Sequence, residues 1–192
     1  DRFFPSVHHR PVADMQLEAP GPYHHSLMVA TLAEHAAEAV GANPLLARVC
    51  AYFHDIGKLA NPEYFTENVQ PGTSPHDDLQ PRMSSLVILN HVRQGLDLAR
   101  RYKLRRPIRE AIGQHHGTSL IYFFYRKAKD QAGEDGCVGE TDYRYPGPRP
   151  RRKEIAIIGL ADSCEAACRS IEKPSAAKRS EEHTSELQSP NT

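Results

Sequence analysis

Apolar residues at helical spacing mark the first regular element of the chain. Between Tyr23 and Val40 an apolar stripe repeats at i, i+3, i+4, i+7 and i+11, which predicts an amphipathic helix ended by Gly41. The stripe consists of His25, Met28, Val29, Leu32 and Ala36. Because His25 belongs to this apolar face and His24 does not, we expect His25 to be buried and His24 to point to solvent or line a rim.

A second helix is predicted directly after the first. Asn43 is a typical N-cap residue, and Pro44 stands at the favoured first helical position. The apolar stripe of this helix consists of Leu46, Val49, Cys50 and Phe53. The stripe leads directly into His54, so we expect this histidine at the core-facing end of the helix.

Four further helices are predicted downstream, and two long loops separate them. The helices cover about residues 82–102, 107–116 and 119–129 and a last segment that begins near 153. Segments 60–82 and 133–152 are rich in proline and glycine, which is typical of loops. No alternating pattern typical of strands is present. The sequence therefore predicts an all-α helical bundle with two long Pro/Gly-rich loops.

The two ends of the chain differ from the predicted bundle. Residues 1–22 are rich in proline and are expected to form an irregular lead-in, excised from a longer membrane protein. Residues 179–192 have no apolar periodicity and resemble the translation of a sequencing-adapter oligonucleotide, so we exclude them as a non-native tail. The domain is accordingly expected at residues 23–178, with its native C-terminus truncated.

Composition and charge exclude several classes of protein. The chain has 192 residues, 39% of them apolar, and no apolar run approaches the roughly 18 residues of a membrane-spanning helix. It carries 24 Lys and Arg residues against 24 Asp and Glu residues, whereas a protein that follows a polymeric nucleic acid by charge needs a basic face. We therefore expect a soluble globular domain without such a partner.

Histidine and aspartate provide the candidate chemistry. The chain contains eleven histidines. Seven polar residues lie at or beside the apolar stripes of five predicted helices: His25, His54, Asp55, His91, His115, His116 and Asp162. Burial without partners would cost several kcal/mol for each of these groups, and more for an ionised carboxylate, so something must neutralise them.

Bound metal satisfies these groups most directly. Imidazoles and carboxylates are ligands for Zn, Fe, Mn or Ni, and no thiolate is present in the set. Seven ligands are too many for one ion but suit two ions that share a carboxylate. Asp55 is the natural bridge, because it follows His54 directly at the end of one helix.

Several motifs together resemble the HD domain of the seven-transmembrane HD phosphodiesterases. The central motif is His54-Asp-Ile-Gly-Lys58, and the resemblance spans about residues 12–175. Further matching stretches are Tyr23-His-His-Ser26, Gly41-Ala-Asn-Pro-Leu-Leu-Ala-Arg48, Pro75-His-Asp77, His115-His-Gly-Thr-Ser119, Tyr145-Pro-Gly-Pro148 and Leu160-Ala-Asp-Ser163. Small departures from the family pattern include Pro22, where threonine is usual.

The resemblance implies both an activity and an assignment of ligands. It implies a metal-dependent phosphodiesterase that hydrolyses cyclic di-AMP to linear pApA with two divalent metal ions, Mn or Fe. One ion would be held by His25, His54, Asp55 and Asp162, and the other by His91, His115, His116 and the bridging Asp55. It further implies a cytoplasmic domain tethered to a bacterial inner membrane, without membrane contact of its own, and allows a homodimer.

Four residues are candidates for contact with the substrate. Lys58 lies one turn beyond His54 and could bind phosphate, although a structural ion pair is an equal alternative. Thr118 and Ser119 could donate hydrogen bonds to phosphate from a helix start or act only as an N-cap. Tyr145 offers an aromatic surface on which adenine could stack, although such loops often only cover a core. Asp55, His54 and Lys58 are the expected catalytic residues.

Three alternative functions remain open from the sequence. The domain could hydrolyse another nucleotide, such as cyclic di-GMP, guanosine tetraphosphate or a deoxynucleoside triphosphate. Cyclic di-GMP is disfavoured, because the Gly-Tyr-Pro signature of that group is absent after the His54-Asp55 pair. The domain could also be an inactive nucleotide sensor, whose expected mark is a lost ligand. A helical interaction domain would leave the histidines without explanation.

Overall fold

The structure is a computed structural model that describes residues 10–69, 74–133 and 136–170. It confirms the all-α class. Within these ranges the chain forms α-helices and short 3-10 turns, and the only extended pairing is one isolated bridge between Leu120 and Arg144. The helices are α1 (Arg10–Glu18), α2 (Pro20–Ala39), α3 (Pro44–Phe53), α4 (Pro81–Arg101), α5 (Arg106–Gln114), α6 (Tyr122–Ala132) and α7 (Lys153–Ser170).

The expected irregular lead-in is wrong for residues 10–22. Helix α1 occupies Arg10–Glu18, and α2 begins at Pro20 rather than at Tyr23. The prolines fall within the first turns of these helices, where a missing N–H removes no intrahelical hydrogen bond. Met15 is fully buried in the main core, so packing stabilises α1. Residues 1–9 and the expected non-native tail 179–192 lie outside the described residues.

Helix α2 packs against α3 and α7 at the centre of the bundle, with a face that differs from the predicted stripe. Met28 and Leu32 are exposed, and the buried apolar side chains are Val29, Ala30, Ala33 and Ala37. Small side chains allow neighbouring helices to approach closely. The predicted stripe, which included large apolar residues, did not indicate this close packing. His25 and Val29 belong to both faces and are buried as expected.

The signals at the ends of α2 and α3 act as predicted. Gly41 has a φ of +65°, a left-handed conformation that glycine adopts without strain. The side chain of Asn43 accepts a hydrogen bond from the Leu46 N–H at 3.0 Å and caps α3. These two residues turn the chain so that α3 runs back along α2 and ends at His54.

Two close backbone approaches bring the helices together near the end of α3. A Cβ atom on Gly57 would lie 1.8 Å from the carbonyl oxygen of His91, so only glycine allows α4 to approach this turn. A Cβ atom on Gly159 would lie 2.3 Å from the carbonyl oxygen of His115, which couples α7 to the end of α5 in the same way. The first contact fixes the interior of α4 against the turn after His54, and the second fixes the interior of α7 against the end of α5.

The described parts of the two predicted loops are mostly irregular but contain the short 3-10 turns Pro62–Tyr64 and Glu140–Tyr143. A further 3-10 turn, Ile56–Ala60, leads into the first loop. Helix α6 begins at Tyr122, three residues after the predicted start at Ser119, because the bridge between Leu120 and Arg144 holds the preceding segment extended. A second small core lies beneath α6 and contains Phe124, Ala128 and Tyr143. None of the helices described is both long and apolar enough to span a lipid bilayer.

Candidate metal centre

The structure brings all seven predicted polar residues together. Helix α2 carries His25, α3 ends at His54, and Asp55 follows in the chain. The other four lie on α4 (His91), at the end of α5 (His115 and His116) and on α7 (Asp162). Only His116 and Asp162 retain appreciable exposure, with 22% and 13% of their side chains accessible. Residues from five helices therefore converge on one buried centre.

The seven residues form two ligand groups that share Asp55. The first group consists of His25, His54, Asp55 and Asp162, and the second of Asp55, His91, His115 and His116. Within each group, one ligand atom per residue can be chosen so that all lie within 4.8 Å of one another. This division equals the one that the family resemblance implies.

The two carboxylate oxygens of Asp55 face different groups. Oδ2 lies 3.3 Å from His54 Nε2 and 3.5 Å from His25 Nε2. Oδ1 lies 3.3 Å from His91 Nε2 and 3.5 Å from His115 Nε2. A carboxylate in this position can bridge two cations, one through each oxygen.

Main-chain carbonyl groups orient three of the imidazoles. The Nδ1 atom lies 2.6 Å from the Ala51 oxygen in His54 and 2.5 Å from the Ile88 oxygen in His91. In His115 it lies 3.0 Å from each of two carbonyl oxygens, those of Ala111 and Ile112. A carbonyl oxygen only accepts, so Nδ1 carries the proton and Nε2 keeps its lone pair. This is the tautomer that binds metal through Nε2.

Most of the inward-facing atoms have no hydrogen-bond partner among the described residues. This holds for Nε2 of His54, His91 and His115 and for Asp55 Oδ1, each of them fully buried. Orphaned buried polar atoms cost free energy unless a ligand satisfies them. The donor set of imidazole nitrogen and carboxylate oxygen suits a divalent transition metal. The residues present therefore fit a metal centre.

A side-chain carboxylate, rather than a carbonyl group, orients His25. Its Nδ1 atom lies 2.6 Å from Glu165 Oε2, and its Nε2 atom lies 3.1 Å from Asp162 Oδ1. Burial lowers the pKa of His25, but Asp162 and Asp55 outweigh it and raise this pKa to about 10. In the absence of metal, the first group therefore retains a proton that a bound cation would displace.

The opposite pKa shift occurs at His116. Burial lowers its pKa well below the usual value, and the neighbouring His115 and His91 add to this effect. Burial alone would raise the pKa of Asp55, but its interactions with the neighbouring His54 and Lys58 hold this pKa well below its ordinary value. The bridging residue is therefore an anion throughout the neutral range.

Lys58 forms the structural ion pair that was one of its two expected roles. Its Nζ atom lies 2.6 Å from Asp55 Oδ2 and also contacts Glu67 Oε1. Neither Glu67 nor Glu165 was predicted from the sequence. Glu165 had a detectable signal, because it lies three residues after Asp162 and thus on the same helix face. Glu67 lies in an irregular loop and had none.

The other predicted substrate contacts occupy different environments. Tyr145 is buried, and its ring stacks on that of His116 with centroids 4.1 Å apart. Thr118 and Ser119 do not stand at a helix start, because α6 begins at Tyr122, and neither acts as its N-cap. Instead, their carbonyl oxygens accept hydrogen bonds from the loop residues Arg144 and Tyr145. His24 is exposed, as its position on α2 predicted.

Comparison with known proteins places this centre in a family. The HD domain model matches residues 23–167. The chain is 52% identical over 157 residues to the cyclic-di-AMP phosphodiesterase PgpH of Bacillus subtilis, a match that covers 82% of this chain and 22% of that protein. It is 49% identical over 165 residues to the same enzyme of Listeria monocytogenes, with 86% and 23% covered. The chain thus spans less than a quarter of these relatives.

A solved structure is similar along most of the chain. It is a crystal structure of the HD domain of the L. monocytogenes phosphodiesterase PgpH in complex with cyclic-di-AMP. The TM-score is 0.82 at 48% identity, and the alignment covers 88% of this chain and 78% of that one. The fold, the two ligand groups around the His54-Asp55 pair and the match over residues 23–167 agree, and the chain belongs to the HD domain family.

Proposed function

We propose that this domain is a metal-dependent phosphodiesterase that hydrolyses cyclic di-AMP to linear pApA. The observation that carries the proposal is the pair of ligand groups joined by the two oxygens of Asp55. Two-metal centres of this kind act on phosphodiesters. The relatives named cyclic-di-AMP phosphodiesterase support the choice of substrate, since they share about half of the residues over the aligned region.

The two ions would be held by the first and second ligand groups, and we propose Mn or Fe. When bound, such ions activate water near neutral pH and stabilise charge on phosphate oxygens. The chain itself orients the imidazoles through their Nδ1 atoms and keeps Asp55 ionised between the groups. Hydrolysis breaks one bond between phosphorus and a 3′ oxygen, adds the water oxygen to phosphorus and leaves a free 3′ hydroxyl group.

Aromatic side chains pack against two imidazoles of the second group. Tyr145 covers His116, and Phe65 lies edge-on to His91 with ring centroids 5.9 Å apart. Lys58 already forms ion pairs with Asp55 and Glu67. We propose that it does not bind the reacting phosphate directly and that its positive charge acts on the phosphate from its position beside Asp55. Discrimination between adenine and guanine then falls to the loops around residues 60–82 and 133–152.

The test is hydrolysis of two cyclic dinucleotides by the purified domain after reconstitution with Mn²⁺ or Fe²⁺. We expect two ions per chain and a higher kcat/KM for cyclic di-AMP than for cyclic di-GMP, with Tyr145→Ala measured in parallel. Two bound ions without hydrolysis of either substrate would contradict the phosphodiesterase assignment. Equal rates, or faster cleavage of cyclic di-GMP, would leave that assignment intact and refute the preference for cyclic di-AMP.

We also propose that the full-length protein tethers this domain to the cytoplasmic face of a bacterial inner membrane. The resemblance to the seven-transmembrane HD phosphodiesterases supports this arrangement, and the aligned relatives are more than four times as long as the matched region. Fractionation of cells that express the complete gene tests the tether. Sedimentation of the purified domain tests for a homodimer.

A further inference from the structure

A closed ring of charged and hydrogen-bonding side chains lies beside the first ligand group. Its members are His25, Asp55, Lys58, Glu67, Glu165 and Arg169. Lys58 joins Asp55 to Glu67, with Nζ 2.6 Å from Asp55 Oδ2. Arg169 joins Glu67 to Glu165, with Nη1 3.5 Å from one Oε2 and Nη2 3.3 Å from the other. Glu165 accepts a hydrogen bond from His25 Nδ1, and His25 Nε2 returns to within 3.5 Å of Asp55 Oδ2.

Arg169 links two segments of the chain within this ring. Glu165 lies on α7, whereas Glu67 lies in the loop after the 3-10 turns. The loop itself approaches α2 closely, because a Cβ atom on Gly21 would lie 2.0 Å from the Glu67 carbonyl oxygen. Asn68 also accepts a hydrogen bond from the Gly21 N–H at 3.3 Å. The backbone of Glu67 is thus fixed, and its side chain is directed between Lys58 and Arg169.

Two basic side chains pair with the acidic groups of the ring. Its three carboxylates, Asp55, Glu67 and Glu165, are all at most 15% exposed, as is the neighbouring Asp162. Lys58 forms ion pairs with two of them, and Arg169, with 35% of its side chain accessible, forms ion pairs with the two glutamates. A guanidinium group can bind two carboxylates at once through separate nitrogens, which a single ammonium does less well.

We propose that Arg169 is a positioning residue of the metal centre, because it holds Glu165 against His25 and Glu67 against Lys58. This proposal rests on the proposed metal-dependent phosphodiesterase. Arg169 touches none of the seven candidate ligands. It acts through two glutamates. Glu165 fixes the tautomer of His25, and Glu67 fixes the Lys58 ammonium group beside Asp55.

A purely electrostatic role would have the opposite effect on metal binding. If Arg169 acted only as a nearby positive charge, its removal would make the centre more negative and strengthen binding of a divalent cation. If it positions the ligands, its removal weakens binding, because His25 loses the fixed partner of its Nδ1 atom. The sign of the change in affinity therefore separates the two roles.

The experiment measures Mn²⁺ binding by calorimetry and steady-state hydrolysis of cyclic di-AMP for Arg169→Gln, Arg169→Lys and the wild type. We expect Arg169→Gln to weaken one of the two Mn²⁺ binding steps by about 10- to 100-fold, the range for residues that support metal ligands. The kcat value should fall while KM changes little, since the proposed role of Arg169 acts through Glu67 and Glu165 and not through substrate binding. Arg169→Lys should restore only part of the affinity. Arg126→Gln is the matched control, because Arg126 forms an exposed i, i+4 ion pair with Asp130.

A second variant keeps the test decisive if Arg169→Gln folds poorly. Glu67→Gln retains the size of the side chain and weakens its ion pairs with Lys58 and Arg169. We expect it to weaken the same Mn²⁺ binding step. Unchanged or tighter Mn²⁺ binding in Arg169→Gln, with wild-type kcat, would refute the positioning role. An inactive wild type that still binds two ions would instead refute the proposed function, so the two failures are distinguishable.

Discussion

The two ligand groups of the centre share Asp55 but differ in charge and in how their ligands are held. The first group contains two carboxylates, and Glu165 and Lys58 contact its members through side chains. The second contains Asp55 and three imidazoles, and main-chain carbonyl oxygens fix two of these, His91 and His115. Backbone carbonyl groups orient imidazoles in both groups, including His54 in the first, but the described charged side chains outside the ligand set contact only the first group and its side of Asp55.

This difference predicts unequal metal sites. Two carboxylates neutralise a divalent cation more completely than the single, shared carboxylate of the second group, so the first group should bind metal more tightly. Burial lowers the pKa of His116 in the second group, which keeps this imidazole neutral. The second ion should therefore retain more positive charge, which favours activation of water on that side.

Substitution of the shared residue should have the largest effect, because it affects both groups. Asp55→Ala removes the carboxylate that faces both sets of imidazoles. We expect loss of activity beyond the roughly 100-fold that is typical of supporting residues, together with reduced stability of the metal-loaded protein. The measurements are hydrolysis of cyclic di-AMP, metal content and thermal unfolding with and without Mn²⁺. His24→Ala is the control, and retention of two ions by Asp55→Ala would show that Asp55 is no bridge.

Substitutions confined to one group should each remove one ion, and they test whether the groups are unequal. Asp162→Asn should eliminate the tighter of two Mn²⁺ binding steps, whereas His91→Ala should eliminate the weaker one. The reason is that Asp162 supplies the second carboxylate of the first group, and His91 belongs only to the second. Calorimetric titration resolves the two steps. Loss of the weaker step in Asp162→Asn would reverse the proposed order of affinities.

The sequence predicted the convergence of the candidate ligands better than the packing around them. His54, Asp55 and the other five residues could be predicted because buried polar groups on apolar helix faces are costly and therefore conspicuous. The buried face of α2 could not, because Met28 and Leu32 suggested a stripe of large residues, whereas alanines form the contact with α3 and α7. Periodicity reveals an amphipathic face but not the distance between helices.

Long-range partners were the other part that the sequence did not reveal. Glu67 lies nine residues after Lys58 in a loop without periodicity, so only the folded chain shows their contact. Similarly, the bridge between Leu120 and Arg144 delays the start of α6, and no local signal near Ser119 indicates it. Local rules describe caps and turns such as Asn43, but contacts between distant segments depend on the whole fold.

A substitution beside the first group should have a smaller effect than loss of a ligand. Glu165→Gln keeps an oxygen that can accept from His25 Nδ1 but removes the charge of the carboxylate. We expect about tenfold weaker binding of the tighter Mn²⁺ ion, at the lower end for residues that support metal ligands. The second group should be unaffected, since Glu165 contacts none of its members and main-chain carbonyl oxygens hold His91 and His115. Equal weakening of both steps would contradict the separate support of the two groups.

The smallest expected effect concerns the aromatic cover of the second group. Tyr145 stacks on His116, and no hydrogen bond of its hydroxyl group is present among the described residues. An aromatic contact of this kind contributes about 0.5–1.5 kcal/mol, so Tyr145→Ala should weaken the second Mn²⁺ step by up to about tenfold. Tyr145→Phe keeps the ring and should bind Mn²⁺ as the wild type does. Titration without nucleotide separates this role from contact with adenine. If Tyr145→Ala leaves both binding steps unchanged but lowers kcat/KM for cyclic di-AMP, the ring serves the substrate rather than the metal ligand.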